Sequence, residues 1–533
     1  MKSSSGNPIV RNLILVLGVI AVTAAYSAVP NTEIMGVRFA NADLFGLNPD
    51  AAPLPEKEFR ANINELDKQL EEYERQMREA RIADSLRALH IADSLKELQR
   101  IVFDWQIAEP DSSVSKRRFV LDSTMRQRIA ESVSIEDFDT SSTTALNRLA
   151  EKLLKQRPVR IAVLGDSFIE GDIFTSDLRR ILQSKLGGSG IGFIPCDIPF
   201  KIYNKYVYRA SKGWKSYSVM KVKSAPENIK DRFIISGYFA IGGPNSQTTW
   251  VDKTKDSSAD EASIYLIAEQ DSKVKVSLGK DKHKQFDLAA SKSLRQIHIN
   301  APIDSLTFKV LSGSVICYGA RINTLSGISV DNYSIRSNNG QAVFATSPAI
   351  NRQYDEMVNY DLIVLQYGLN IMQEGKTVYR HYADQLKDAI TYVKRSFPNA
   401  AILVLGVSDR WIKNPDTGEF GPIGTAEALT SYQRKAAEES NVCFWNTFAA
   451  MQRIGGMSKF ISNGWIAADH THINYQGGNA FAEELADSFF KLLDDTAARL
   501  REAELKRIEN ERLDSIMRAN AVLVNPIDSL AIK

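Results

Sequence analysis

Four consecutive apolar residues, Ile161 to Leu164, stop at Gly165 and are followed at once by Asp166 and Ser167. An apolar run without alternation reads as a strand buried on both faces, as in a parallel sheet. Parallel strands need helical crossovers, so this run points the chain to an α/β architecture. Gly165 can take backbone angles that other residues avoid. Asp166 and Ser167 then stand at the carboxyl end of the strand, the edge where open α/β sheets bind ligands. Asp and Ser are also ordinary helix N-caps, so the pair has a purely structural reading as well.

With 533 residues the chain exceeds one ordinary domain, since roughly 100–200 residues make a domain. Its formal net charge of +2, from 66 basic and 64 acidic residues, does not suggest a nucleic-acid partner, and no basic run with interleaved aromatics is present. Cys196, Cys317 and Cys443 are odd in number and far apart, which suggests neither a zinc site nor a disulfide framework. His470 and His472 are close but lack an obvious third ligand, so neither a metal nor any other cofactor is expected.

At the N-terminus, Lys2 and Arg11 precede the uncharged stretch 13–29. It is just long enough for a membrane helix, which takes about 17–25 residues, and the positive flank favours an N-in orientation. Residues 1–31 are therefore read as a membrane anchor, with the rest of the chain outside the cytoplasm. A cleaved signal peptide is the rival. Residues 55–105 are highly charged, and Phe59, Ile63, Leu66, Leu70, Tyr73, Met77 and Ala80 alternate spacings of four and three. That seam predicts a coiled-coil-like helical stalk, which would allow a homodimer.

A linker is expected over 106–135. Residues 136–199 and 321–495 have α/β texture, and 200–320 do not. In that middle stretch "RFIISGYFAIG", "ASIYLIAEQ", "KVKVSLG", "RQIHIN" and "SLTFKVLSG" are short, β-branched and aromatic, and turn residues separate them. They predict an all-β sandwich that interrupts an α/β domain. Residues 496–533 read as a charged C-terminal helix and tail.

Candidate chemistry collects at the strand ends in chain order. Ser167 follows the first, Asn338, Asn339 and Gly340 the second, and Gly368 and Asn370 the third; "DHTHINYQGG" comes much later. A Ser hydroxyl needs a base to take its proton. His472 can be that base, and Asp469, three residues before it, can hold its tautomer. The backbone N–H groups of Ser167 and Gly340 and the amide of Asn370 are candidate donors to an oxyanion. Trp214, Trp250, Trp411 and Trp465 could stack on sugar rings or pack the core, with Trp465 best placed to line the site.

The set "GDS", "NNG", "YGLN" and "DHTH" resembles the four blocks of the SGNH hydrolases, also called the GDSL esterase family. The longer stretches "GDSFIEGDIFTSDLRRIL" and "GGSGIGFIP" are similar to a bacterial branch close to peptidoglycan O-acetylesterases. Those relatives carry an inserted carbohydrate-binding-like β module. The resemblance implies a doubly wound, flavodoxin-like parallel sheet interrupted by the β sandwich. It also implies Ser167 as nucleophile, Asp469 and His472 as the acid–base pair, and Ser167, Gly340 and Asn370 as the oxyanion hole. Ile371 stands where the third block usually has Asp. Gly327 competes with Gly340, and His470 with His472.

The implied activity is that of a serine esterase. It would remove O-acyl groups, acetyl first among them, from an envelope glycan such as peptidoglycan. An O-acyltransferase with the same acyl-serine, or a membrane-tethered glycan-binding scaffold, would use the same features. The expected partners are the acylated glycan and the inner membrane, in a single-pass cell-membrane protein.

Overall fold

A computed structural model describes residues 32–34, 37–39, 75, 101–107, 121–139, 144–254 and 259–528. The chain divides into two units, Met1–Glu79 and Ala80–Lys533. In the first, β1 (Thr32–Ile34) and β2 (Val37–Phe39) form a short antiparallel hairpin, with Ile34 opposite Val37. The uncharged stretch 13–29 and nearly all of the expected stalk lie outside the described residues. Among the described residues no helix is long and apolar enough to cross a membrane.

In the second unit the apolar run becomes β5 (Val159–Gly165). It lies between β15 (Ile328–Ser334) and β16 (Leu362–Gln366), and β17 (Ala401–Leu405) and β20 (Cys443–Trp445) follow on the far side. All these pairs are parallel. The spatial order is second, first, third, fourth, fifth in chain order, the flavodoxin-like arrangement. A short antiparallel strand, β4 (Glu136–Asp137), closes the β20 edge.

The run lacks alternation because each face of the sheet has its own core. Ile161 and Val163 enter a core shared with α2 (Ala145–Leu154), α3 (Thr175–Leu186) and the start of α9 (Tyr475–Asp528). Ala162 and Leu164 enter the opposite core with α4 (Pro348–Val358) and α5 (Arg380–Ser396). Full burial of one such aliphatic side chain contributes about 1.5–3 kcal/mol.

The β module departs from the expected sandwich in two ways. Its ten strands form one continuously hydrogen-bonded sheet. The long strand β8 (Tyr238–Asp252) pairs with β14 (Val315–Asn323) through Ala240–Gly242, then with β13 (Ser305–Ser312) through Gln247–Val251. Changing partner partway lets one strand serve both layers of a core that gathers Ile264, Ile297, Val274, Trp250 and Phe308. The module also extends beyond 200–320. β6 (Gly192–Pro195) pairs with β14, and β3 (Ile101–Gln106) pairs in parallel with β12 (Arg295–Ile303).

The expected stalk therefore does not continue to 105. Phe103 and Trp105 are half-buried while Asp104 and Gln106 are exposed, a period of two that suits a strand. Both aromatics meet Phe286 edge-on, with centroids 5.7 and 6.5 Å away. The expected linker 106–135 likewise holds α1 (Ser123–Ala130), capped by Asp122 Oδ1 accepting from Met125 N at 2.7 Å. It buries Met125 and Ile129 in the same core as Ile161 and Val163. Ion pairs Arg128–Asp487 (2.7 Å) and Arg126–Asp494 (3.3 Å) tie it to α9.

Candidate active site

Gly165 sits between Ser334 and Gln366 in the sheet. A Cβ there would lie 2.8 Å from Gln366 Oε1 and from Ile169 Cδ1, so any larger residue would have to push those side chains aside. Asp166 follows in extended conformation and caps a 3₁₀ turn, Ser167–Asp172, by accepting from Phe168 N at 2.9 Å. Ser167 opens that turn, where backbone N–H groups have no intrahelical partner.

The Ser167 hydroxyl lies 2.9 Å from His472 Nε2, across 305 residues of chain. His472 Nδ1 lies 2.7 Å from Asp469 Oδ2. An ionised carboxylate only accepts, so Nδ1 carries the proton and Nε2 is left to accept from the serine. Asp469 Oδ1 also accepts from the backbone N–H groups of Thr471 and His472, each at 3.0 Å. Burial pulls the Asp469 carboxyl up, but these bonds and the imidazole together outweigh it and hold the group below the usual carboxylate range. Both side chains stay open to solvent, His472 at 44% and Asp469 at 51%.

His470 does not compete for this position. Its ring packs on Phe420, with centroids 3.9 Å apart, and edge-on to Trp411. Gly327 lies at the far end of the sheet, its carbonyl accepting from Val159 N at 2.9 Å where β5 begins. Gly340 lies at the carboxyl end, with φ +99° and the Tyr367 ring against it. Among the tryptophans, Trp250 is fully buried and Trp214 stacks on Phe308. Trp465 packs edge-on against Phe460 and lines a neighbouring surface groove with Tyr475 and Lys205.

Asn370 and Gly340 meet at a third residue that sequence reasoning left without a role. Asn370 Nδ2 donates to Asn338 O at 3.2 Å, and Gly340 N donates to Asn338 Oδ1 at 2.9 Å. The other Asn370 amide hydrogen goes to Asp166 Oδ2 at 2.9 Å. Asp166 is wholly buried, and that burial pushes its carboxyl up to about 7. Bonds from Phe168 N–H and Asn370, with the nearby His472, pull the other way. Nothing local in the sequence marks these links, because they join the ends of three different strands. The acidic run after Ser167 has structural partners: Glu170 pairs with Arg336, and Asp172 with Arg179 at 2.8 Å. Among the described residues no cluster of His, Cys, Asp and Glu could hold a metal ion.

No family model matches the chain, and no curated protein matches its sequence. Solved structures do. One described as "Peptidoglycan O-acetylesterase in action" is 22% identical with a TM-score of 0.56, covering 68% of this chain and 99% of its own. A family two carbohydrate esterase from Cellvibrio japonicus is 10% identical (TM-score 0.23), covering 54% of this chain and 98% of its own. An acetyl xylan esterase is 16% identical (TM-score 0.22), covering 30% and 79%. The last two superpose too loosely to bear on the fold. The first shares the fold over nearly its whole length.

Proposed function

We propose that the chain is a serine esterase that removes O-acyl groups, acetyl foremost, from an envelope glycan such as peptidoglycan. The observation that carries this is the unbroken relay from Ser167 Oγ through His472 to Asp469, with contacts of 2.9 and 2.7 Å. His472 Nε2 takes the Ser167 proton as Oγ attacks the ester carbonyl, and Asp469 steadies the imidazolium that forms. The tetrahedral oxyanion draws on Ser167 N–H, on Asn370 Nδ2, and on Gly340 N–H once that group leaves Asn338 Oδ1, its acceptor at 2.9 Å. A charged oxygen is a stronger acceptor than an amide carbonyl, so it displaces Asn338 O from its 3.2 Å bond with Asn370. Collapse expels the sugar alkoxide, which takes the proton from His472. Water, activated by the same base, then releases the acyl group.

The solvent exposure of His472 and Asp469 supports water over a sugar hydroxyl as acyl acceptor, since transfer needs water excluded. The test is acetate release from O-acetylated peptidoglycan, compared with acetylated xylan and a small aryl acetate. Ser167→Ala should abolish release while leaving the circular dichroism spectrum unchanged. Wild-type turnover in that variant would remove Ser167 from the mechanism. In the same proposal, residues 13–29 anchor the chain in the inner membrane with the hydrolase outside the cytoplasm. Fractionation that yields a soluble protein with a new N-terminus near 26–31 would replace the anchor with a cleaved signal.

A further inference from the structure

A cavity of about 260 Å³ opens along the seam between the hydrolase lobe and the β module. Its hydrolase wall includes Gly171 and Ser334. Gly171 belongs to the turn that begins at Ser167, and Ser334 pairs with Gly165, the last strand residue before that serine. The cavity is therefore adjacent to the nucleophile's own turn. Its module wall carries two cations, Arg209 and Lys253.

Neither cation is paired among the described residues. Arg209 is half-buried, and its one hydrogen bond there is a long one, from Nη1 to Pro195 O at 3.4 Å. Burial holds its guanidinium below the ordinary range, although Asp197 and Cys196 pull it back up. The Lys253 ammonium lies 5.6 Å from the centroid of the Tyr208 ring and forms no ion pair. Asp172, also on the cavity wall, faces Arg179 at 2.8 Å, and Asp197 accepts from Ser211 and Ser216. Asp252 accepts from Thr254 N at 2.7 Å through Oδ1, and among the described residues its Oδ2 has no partner. Arg209, partly withdrawn from water with no carboxylate partner, is costly to leave bare, and Lys253 adds an exposed positive charge on the same wall, so the wall favours an anion. At the cavity, Tyr203 is 73% exposed and Tyr208 50%, and such faces suit sugar rings.

We propose that this cavity binds a carboxylate-bearing sugar of the glycan, with Arg209 and Lys253 as its cationic contacts and Tyr203 and Tyr208 as its stacking faces. Arg209 offers the planar fork that matches a carboxylate. The proposal rests on the esterase reading for its substrate, and adds that the preferred glycan is acidic. The carboxylate could come from a lactyl ether or from the sugar ring itself.

The test is calorimetric titration of the full chain with N-acetylmuramic acid, glucuronic acid and N-acetylglucosamine, none of which carries an ester. At least one acid should bind about tenfold or more tighter than the neutral sugar. Binding confined to N-acetylmuramic acid assigns the lactyl carboxylate, and binding confined to glucuronic acid the ring carboxylate. Arg209→Gln should abolish that preference. Lys253→Gln, at an exposed position that should not disturb folding, should weaken it by at least a few-fold, with aryl acetate turnover unchanged in both. Equal affinity for all three sugars, or acid binding untouched by both variants, overturns the proposal. Aryl acetate hydrolysis by the wild type judges the esterase reading separately: acid binding without hydrolysis sinks that reading, and hydrolysis without acid preference sinks this one.

Discussion

Asp166 touches the reaction only through Asn370, yet it is the residue at the site whose charge is least comfortable. Between the ordinary carboxyl value of 3.8 and about 7, the folded chain holds a proton there that the unfolded chain has released. Its contribution therefore makes stability fall as pH climbs through that window and level off above it. Asp166→Asn should flatten this slope, a difference of up to about 4 kcal/mol between pH 4 and pH 8. Urea denaturation of both proteins across that range is the check, and parallel slopes would refute it. One amide oxygen cannot accept from both Phe168 N and Asn370 Nδ2, so the same variant should also turn over more slowly. Asn370→Ala should lower kcat roughly 10²–10³-fold with little change in KM, the cost of one oxyanion donor. Asp469→Asn should cost more, up to about 10⁴-fold in kcat, because the amide no longer holds the His472 tautomer. Full activity in Asp469→Asn would end the triad assignment.

Among the elements, the start of α9 bears most directly on Ser167. Phe481 is fully buried and meets Phe168 edge-on at 5.5 Å and Phe460 at 5.2 Å. Phe168 follows Ser167, so the helix that closes the hydrolase core also presses on the turn that aims the serine. Phe481→Ala should cost about 3–5 kcal/mol in thermal or chemical denaturation and reduce kcat more than KM. A destabilised variant with native kcat would mean the turn is held by Asp166 and its cap alone. Farther along, the same helix carries Leu505 and Met517 into solvent.

For the whole molecule, the β module is fused to the hydrolase lobe. Arg321 on β14 donates to Asp331 on β15 at 2.6 Å, and Tyr360 OH donates to the same carboxylate at 2.5 Å, all buried. Tyr265 of the module lies against Tyr354 of α4 with centroids 4.7 Å apart. Arg321→Met would strand the Asp331 charge and should cost about 3–5 kcal/mol. Adding Asp331→Leu should restore part of that loss. A double variant less stable than the single one would show that the pair contributes net stability beyond avoiding a buried charge. For the same reason, excision of the module should impair small esters as well as polymers.

What the sequence determined by itself is what short-range physics can encode. The apolar run of β5 announced burial on both faces, Gly165 a tight strand end, and the three-residue step from Asp469 to His472 a turn that brings both to one side. The switch from helical to two-residue texture announced the β module. Its edges were misplaced because β3 and β6 are too short to declare their partners, and strand pairing depends on neighbours distant in the chain. Only the tertiary structure brought Ser167 to His472 and gathered Asp166, Asn338, Gly340 and Asn370 around one another. It alone set Arg209 and Lys253 on one cavity with Gly171 of the serine's turn. Those contacts follow from the order of strands in the sheet, and that order is fixed by which buried faces fit together.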